Sequence, residues 1–238
     1  MIDTRLLPFV PLLHNKTFAE FFAGIGLVRM GLERQGWSIE FANDISQQKY
    51  EMYRGQFKNA DEHFLPGDIH NIPAGIVPSV TLATASFPCN DLSLAGGRDG
   101  LAGEHSSAFW GFITILDQMR DRRPPLVLLE NVTGFLTSNN GEDFKSGMLA
   151  LNNLGYSVDA FLLDAVNFVP QSRQRLFIVG CLEKLFGNPD PICPAILEVN
   201  DVRPKAITEF IAKHREIRWH IRSLPPQPVN HARLESIL

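Results

Sequence analysis

The side chains suited to covalent or acid–base work fall at a few separated points of the 238-residue chain. Cys89 stands in "SFPCNDLS", directly behind Pro88, which closes an apolar stretch, while Asn90, Asp91 and Ser93 make the following segment polar. A thiol on a polar loop at the end of a strand is placed to act as a nucleophile. A free cysteine also serves as a small buried hydrophobe. Glu130 follows four apolar residues, 126–129, and opens "ENV". A carboxyl group buried at such a place keeps its proton near neutral pH and can act as an acid. A glutamate that starts a helix has the same sequence context. In "QSRQR", Arg173 and Arg175 are two residues apart ahead of an apolar run, so both side chains can point to one face of a strand. A solvated surface pair reads the same way.

A second group of residues looks suited to holding a nucleoside. In "FFAGIG", Gly24 and Gly26 let the backbone turn sharply and approach a ligand, but Arg29 stands where the dinucleotide fingerprint has its third glycine. A ligand with an adenosine and no pyrophosphate needs less of that approach, which favours S-adenosylmethionine over NAD; a purely structural turn has the same glycines. Asp44, after a second strand, can accept both hydroxyls of a ribose or cap the next helix. Asp68, in "GDIH", can meet an adenine amino group or serve as a turn aspartate.

The elements that must position these groups follow from apolar periodicity. Residues 17–22 read as a strand, the glycine turn follows, and Leu27, Met30, Gly31 and Arg34 continue at helical spacing up to Gly36. Residues 39–42 form a second strand, and Ser46 starts a helix through Gln47, Tyr50 and Tyr53. Strands at 80–85, 126–129, 158–163 and 176–179, with a helix at 109–119, complete the pattern. The uninterrupted apolar run 126–129 predicts a central strand covered on both faces. Strands alternating with helices imply an α/β fold with a doubly wound, mostly parallel sheet. Beyond Gly180 prolines crowd the chain, only residues 206–215 look helical, and residues 203–238 hold seven Lys/Arg against three Asp/Glu. That local excess points to an anionic surface nearby or to a solvated face.

Composition bounds the rest. With 45% hydrophobic and 20% charged residues the chain can bury a substantial core. The net charge of -4 and pI near 6.0 give no global sign of nucleic-acid binding, although a local basic groove can hide in an acidic average. Three cysteines without CxxC spacing, and no apolar run long enough to span a membrane, predict a reduced, cytoplasmic protein. The seven histidines do not pair with the cysteines at zinc-ligand spacings, so no metal is expected.

Taken in order, "FFAGIG", "ND" at 43–44, "GDI" at 67–69, "SFPCNDLS", "LLENV" and "QSRQRLFIVG" resemble the DNA cytosine methyltransferases that act on carbon 5 of the base. The resemblance runs over residues 17–180 and implies the Rossmann-like fold of S-adenosylmethionine-dependent methyltransferases. It makes Cys89 the nucleophile toward carbon 6 of cytosine, Glu130 the partner of ring nitrogen 3, and Arg175 the contact to the base carbonyl, with Arg173 holding the loop or touching the DNA backbone. The target atom is inaccessible within a duplex, so the base must flip out, with Pro88, Asn90 and Ser93 near the substrate. It also implies that Phe22, Gly24 and Gly26 face the methionine part of the donor, with Asp44 on the ribose, Ile45 against adenine, and Asp68 and Ile69 at its edge. Ile45 replaces the aromatic ring of many relatives, and Asn90 the commoner glutamine.

Family members continue with a target-recognition domain and two further motifs, neither of which precedes Leu238. Residues 1–185 are therefore expected to be the catalytic and cofactor-binding domain, with 186–238 leading toward recognition parts outside this sequence. The sequence is a piece of a longer protein or one half of a split enzyme of a restriction-modification system, completed by a second polypeptide. The start at Met1 and a break after the arginine motif favour the split. Rival readings are an RNA cytosine methyltransferase of the same fold, a non-catalytic DNA-binding relative, and a nicotinamide-dependent dehydrogenase, the last opposed by Arg29.

Overall fold

The computed structural model describes residues 15–88, 108–187 and 197–228. Seven strands form one sheet: β1 (Thr17–Phe21), β2 (Ser38–Asp44), β3 (Phe64–Pro66), β4 (Leu82–Ala85), β5 (Leu126–Asn131), β6 (Tyr156–Asp164) and β7 (Gln174–Leu182). Their spatial order is β3-β2-β1-β4-β5-β7-β6. The chain lays β2 and β3 to one side of β1, then returns to place β4 and β5 on the other. This makes the carboxyl edge between β1 and β4 the topological switch point, where doubly wound sheets open a ligand crevice.

Pairings among β1 to β5 are parallel, whereas β7 runs antiparallel to both β5 and β6. The reversal has a simple cause. Only residues 165–173 separate β6 from β7, too few for a helical crossover, so the two must form a hairpin. The helices α1 (Leu27–Glu33), α2 (Gln47–Gln56), α3 (Ala60–His63), α4 (Ala108–Met119), α5 (Glu142–Asn153), α6 (Glu183–Phe186) and α7 (Lys205–Lys213) fill the connections. Among the described residues no helix is long and apolar enough to cross a membrane.

The main core gathers Phe21, Phe112, Leu116, Leu129, Phe135, Met148 and Ile178, all essentially inaccessible. A smaller cluster of Ala23, Ala42, Tyr53, Phe57, Ala60 and Phe64 lies under the glycine turn. Residues 197–228 do not stand apart: Ile207, Ile211, Ile217, Trp219 and Ile221 join the main core. Trp219 pairs with Val158 on the free side of β6, so the edge strand is covered.

Among the described lysines and arginines of this segment Arg203 alone is buried, while Lys205, Lys213, Arg215, Arg218 and Arg222 stay exposed. Arg203, 2% exposed, pairs with Asp159 at 2.6 Å, and Arg218 pairs with Glu183 at 2.7 Å. Burial pushes the Asp159 carboxyl up against the opposing pull of Arg203.

Candidate active site

The turn after β1 combines three left-handed residues, Phe22 (φ 57°), Gly24 (φ 57°) and Gly26 (φ 85°). Phe22 is the costly one, because a bulky side chain rarely adopts this conformation, and such strain gathers at functional sites. Gly26 is required twice over: besides its φ, a Cβ there would lie 2.4 Å from Cε2 of Phe57 and 2.9 Å from Cε2 of Tyr53. Gly24 differs, since a Cβ there would meet nothing within 4 Å. The space above Gly24 is thus open for a ligand, as an adenosine-bearing cofactor requires.

Asp44, 3% exposed, does more than its position in sequence suggested. Its Oδ2 accepts the Gly24 N–H at 2.9 Å and its Oδ1 accepts the Ser46 N–H at 2.9 Å, so one carboxylate joins the turn after β1 to the start of α2. Each oxygen keeps a lone pair for a ribose hydroxyl, with the exposed Lys49 ammonium 3.4 Å from Oδ2 the other claimant. Ser46 caps α2 through the Lys49 N–H, as its spacing predicts, and Ile45 stands 69% exposed beside it. The neighbouring Asn43 was not singled out from sequence, yet its amide donates to the carbonyls of Leu65 and Gly67, both at 2.9 Å, and so seats the loop that carries Asp68. Asp68 is half-buried and accepts the His70 N–H at 3.0 Å. Ile69, expected at the adenine edge, has its side chain packed in the main core. It is 4% exposed and packs where a Cβ on Gly111 would lie 2.6 Å away, so only its backbone can reach the cleft.

Across the switch point, β4 runs through buried Phe87 to exposed Pro88. Cys89, Asn90 and Ser93 lie outside the described residues. The described end of β4 is held by Asn131, whose amide donates to the Phe87 carbonyl at 3.0 Å in a buried bond. That tie sets the end of β4 beside the end of β5, where Glu130 emerges.

Glu130 is not the isolated buried acid that four preceding apolar residues suggested. Its side chain is 28% exposed, and Oε1 accepts from Nε of Arg175 at 2.9 Å. The reason is the strand arrangement. β7 lies next to β5 with Glu130 opposite Phe177, which brings Arg175 within reach on the same side of the sheet. Arg173, in contrast, is exposed and enters through its backbone, donating N–H to Asp164 Oδ1 at 2.7 Å. Arg173 precedes the first residue of β7, Gln174, so the two arginines do not share one strand.

Asp164 was missed from sequence. It also accepts from Val166 N–H and from the Ser172 hydroxyl, both at 3.0 Å, and these bonds hold its carboxyl below the usual carboxylate range. It closes the loop 165–173 and fixes the approach of Arg175.

A further group lies beneath the turn. Glu20, 2% exposed in β1, accepts the backbone N–H of Arg29, but its Oε2 has no partner, and burial pushes its carboxyl up to about 8. His63 is pushed down by burial and by the charge of Arg29.

A doubly wound sheet with a glycine turn and acidic residues on one side of its switch point, and the Glu130–Arg175 ion pair on the other, is the framework of a nucleoside-cofactor-binding fold. Comparison with known proteins narrows this. The profile of the C-5 cytosine-specific DNA methylases matches residues 16–232. The chain is 35% identical over 195 residues to the type II methyltransferase M.BsuFI of Bacillus subtilis, covering 77% of this chain and 46% of that protein. It is 36% identical over 192 residues to M.HaeII of Haemophilus aegyptius, covering 78% and 58%. Among solved structures, DNMT2 of Spodoptera frugiperda superposes with a TM-score of 0.59 at 24% identity, over 72% of this chain and 51% of that one. The chain belongs to the C-5 cytosine-specific DNA methylase family, whose methyl donor is S-adenosylmethionine. It spans about half the length of the curated relatives it matches.

Proposed function

We propose that this chain is the catalytic and cofactor-binding part of an enzyme that methylates carbon 5 of a flipped cytosine in duplex DNA. The observation that carries the reading is the Glu130–Arg175 pair, held at 2.9 Å beside the β4 end that leads to Cys89 and across the crevice from the Gly24 turn.

The chemistry asked of these residues is demanding because carbon 5 of cytosine is a poor nucleophile. Addition of the Cys89 thiolate forms a sulfur–carbon 6 bond and shifts ring electrons toward carbon 5 and nitrogen 3. Glu130 stabilises that charge by hydrogen bonding or proton donation at nitrogen 3, and Arg175 orients the base through its carbonyl. S-adenosylmethionine supplies the methyl group from its sulfonium. Asp44 holds the ribose, Ile45 covers the adenine, and Asp68 and the Ile69 backbone meet its edge, while Phe22, Gly24 and Gly26 line the methionine end. Departure of the carbon 5 proton and of Cys89 restores the ring. Arg173, Asn90 and Ser93 contact the DNA around the flipped nucleotide.

We assign residues 1–185, with residues 197–228 that pack into the same core, to the catalytic domain, and target recognition to a second polypeptide or a further part of the protein in the cytoplasm. Support comes from the share of the relatives that the chain spans. The test is tritium transfer from S-adenosylmethionine to duplex DNA and to total RNA, by the chain alone and with the product of the adjacent reading frame. The expected result is little transfer alone, transfer to DNA on reconstitution, and loss of transfer in Cys89→Ser. Robust transfer by the chain alone refutes the need for a second part, transfer to RNA alone refutes the substrate, and an active Cys89→Ser refutes the mechanism.

A further inference from the structure

Arg29 is the residue that breaks the dinucleotide fingerprint, and its surroundings give it a role of its own. It is 4% exposed, so its guanidinium stays out of the crevice. A buried arginine has five N–H donors to satisfy, and here they reach four side chains. Nε donates to Glu33 Oε1 at 2.8 Å, and Nη2 to Asn59 Oδ1 at 2.9 Å. Nη1 lies 3.0 Å from the Tyr53 hydroxyl and 3.0 Å from His63 Nε2. The guanidinium carbon also sits 3.9 Å from the centre of the Phe57 ring.

The partners lie on the helices that follow or lead to the three cofactor loops. Arg29 is on α1, which starts at Gly26. Tyr53 is on α2, which starts directly after Asp44, Ile45 and Ser46. Asn59 and His63 flank α3, which runs straight into β3 and then to Gly67 and Asp68. Phe57 is clamped between the guanidinium and Gly26, at the spot where a Cβ on residue 26 would collide with it. The height of the glycine turn is therefore set by a ring whose other face rests on Arg29.

We propose that Arg29 is a positioning residue for the cofactor: one planar, buried guanidinium holds the loops bearing Gly24, Asp44 and Asp68 in a single relative placement. This inference rests on S-adenosylmethionine being the ligand of that cleft. Lysine cannot replace it, because a point charge on a flexible stem makes neither the fork of hydrogen bonds nor the stack on Phe57. Glu33, exposed on one side, balances the charge, and neutral His63 acts as the acceptor.

The test is calorimetric titration of the full chain with S-adenosylmethionine, at a temperature where each variant is folded by circular dichroism. Arg29→Lys is expected to weaken binding by about tenfold or more, since losing a planar, multidentate arrangement costs at least one decade of affinity. Arg123→Lys is the control for general loosening. Arg123 is half-buried and bonds the Leu116 and Leu154 carbonyls, but it precedes β5 at the amino edge of the parallel strands. It should lower the unfolding midpoint and change binding by less than about threefold. Asn59→Ala and His63→Gln, which each remove one arm, should weaken binding by about two- to fivefold, and they decide the matter if Arg29→Lys does not fold. Folded Arg29→Lys that binds as the unaltered chain does, or single-arm variants without effect, would overturn the proposal alone. Absence of binding by the unaltered chain would overturn the cofactor reading and this one with it.

Discussion

Replacing Glu20 by glutamine should make the protein's stability less sensitive to pH between 4.5 and about 8. The Glu20 carboxyl is 2% exposed, its Oε2 has no partner, and burial raises it from 4.5 to about 8, opposed by the Arg29 N–H and charge. The folded state therefore holds a proton that the unfolded chain releases above pH 4.5. The associated stability is complete below that value and is lost as pH rises toward about 8, after which the loss levels off. A single proton corresponds to about 1.4 kcal/mol per pH unit, so the window spans roughly 5 kcal/mol, comparable with the whole stability of a small domain. Glutamine keeps the acceptor for Arg29 N–H. It also presents an amide toward Thr84 Oγ1, an unpartnered buried atom at the register-matched position of β4. Urea midpoints of the two proteins, measured at several pH values from about 5.5 to 9, isolate this group because every other titration is common to both. Glutamine should gain on the wild type steadily up to about pH 8 and hold its lead above it. Curves that stay parallel across the range would refute the reasoning, because they would mean that Glu20 is ionised in both states.

Gly26→Ala should destabilise the protein by about 2–5 kcal/mol, from left-handed backbone strain plus overpacking, and should lower its thermal midpoint accordingly. The collision with the Phe57 ring at 2.4 Å makes relief by a simple side-chain shift impossible while Arg29 stacks behind that ring. Asp164→Ala should release the loop 165–173 and displace Arg175, cutting methyl transfer in the reconstituted enzyme by about tenfold or more while leaving donor affinity unchanged. Because its hydrogen bonds hold the Asp164 carboxyl low, this clamp is intact above pH 3.8 and fails only as pH falls through its lowered value.

Six of the seven strands, the glycine turn and the place of Asp44 were legible in the sequence because each leaves a local trace: alternation or runs of apolar residues, two glycines two apart, an acid at a strand end; the three-residue β3 was too short to leave one. The polar side chains that hold these parts together left none. Asn43 reaches carbonyls 22 and 24 residues away, and Asn131 one that is 44 residues away. A single amide at the end of an apolar strand looks the same whether it caps, turns or braces. Arg29 was legible only as a missing glycine, since the four side chains that use it arrive from α1, the α2–α3 region and their junction. Glu130 was misjudged for a related reason. Its burial was inferred from its own strand, whereas its environment is decided by Arg175 on β7, whose antiparallel course follows from the shortness of the β6–β7 connection.

The two banks of the crevice are consequently built in different ways. On the cofactor bank the loops are tied by a buried charged network, with Arg29, Glu20 and Asp44 each bonded to backbone or side chains of neighbouring loops. Such a network is costly to assemble half-satisfied, so it favours one geometry over near alternatives. On the base bank the buried Asn131–Phe87 bond stands behind more exposed ties, Asp164 to the arginine loop and Glu130 to Arg175. A half-exposed ion pair can part and re-form at small cost. Under the proposed function that difference would suit the two ligands, since the donor would present one methyl group at a fixed place, whereas a flipped base would exchange the Glu130–Arg175 contact for contacts to its own ring and leave again.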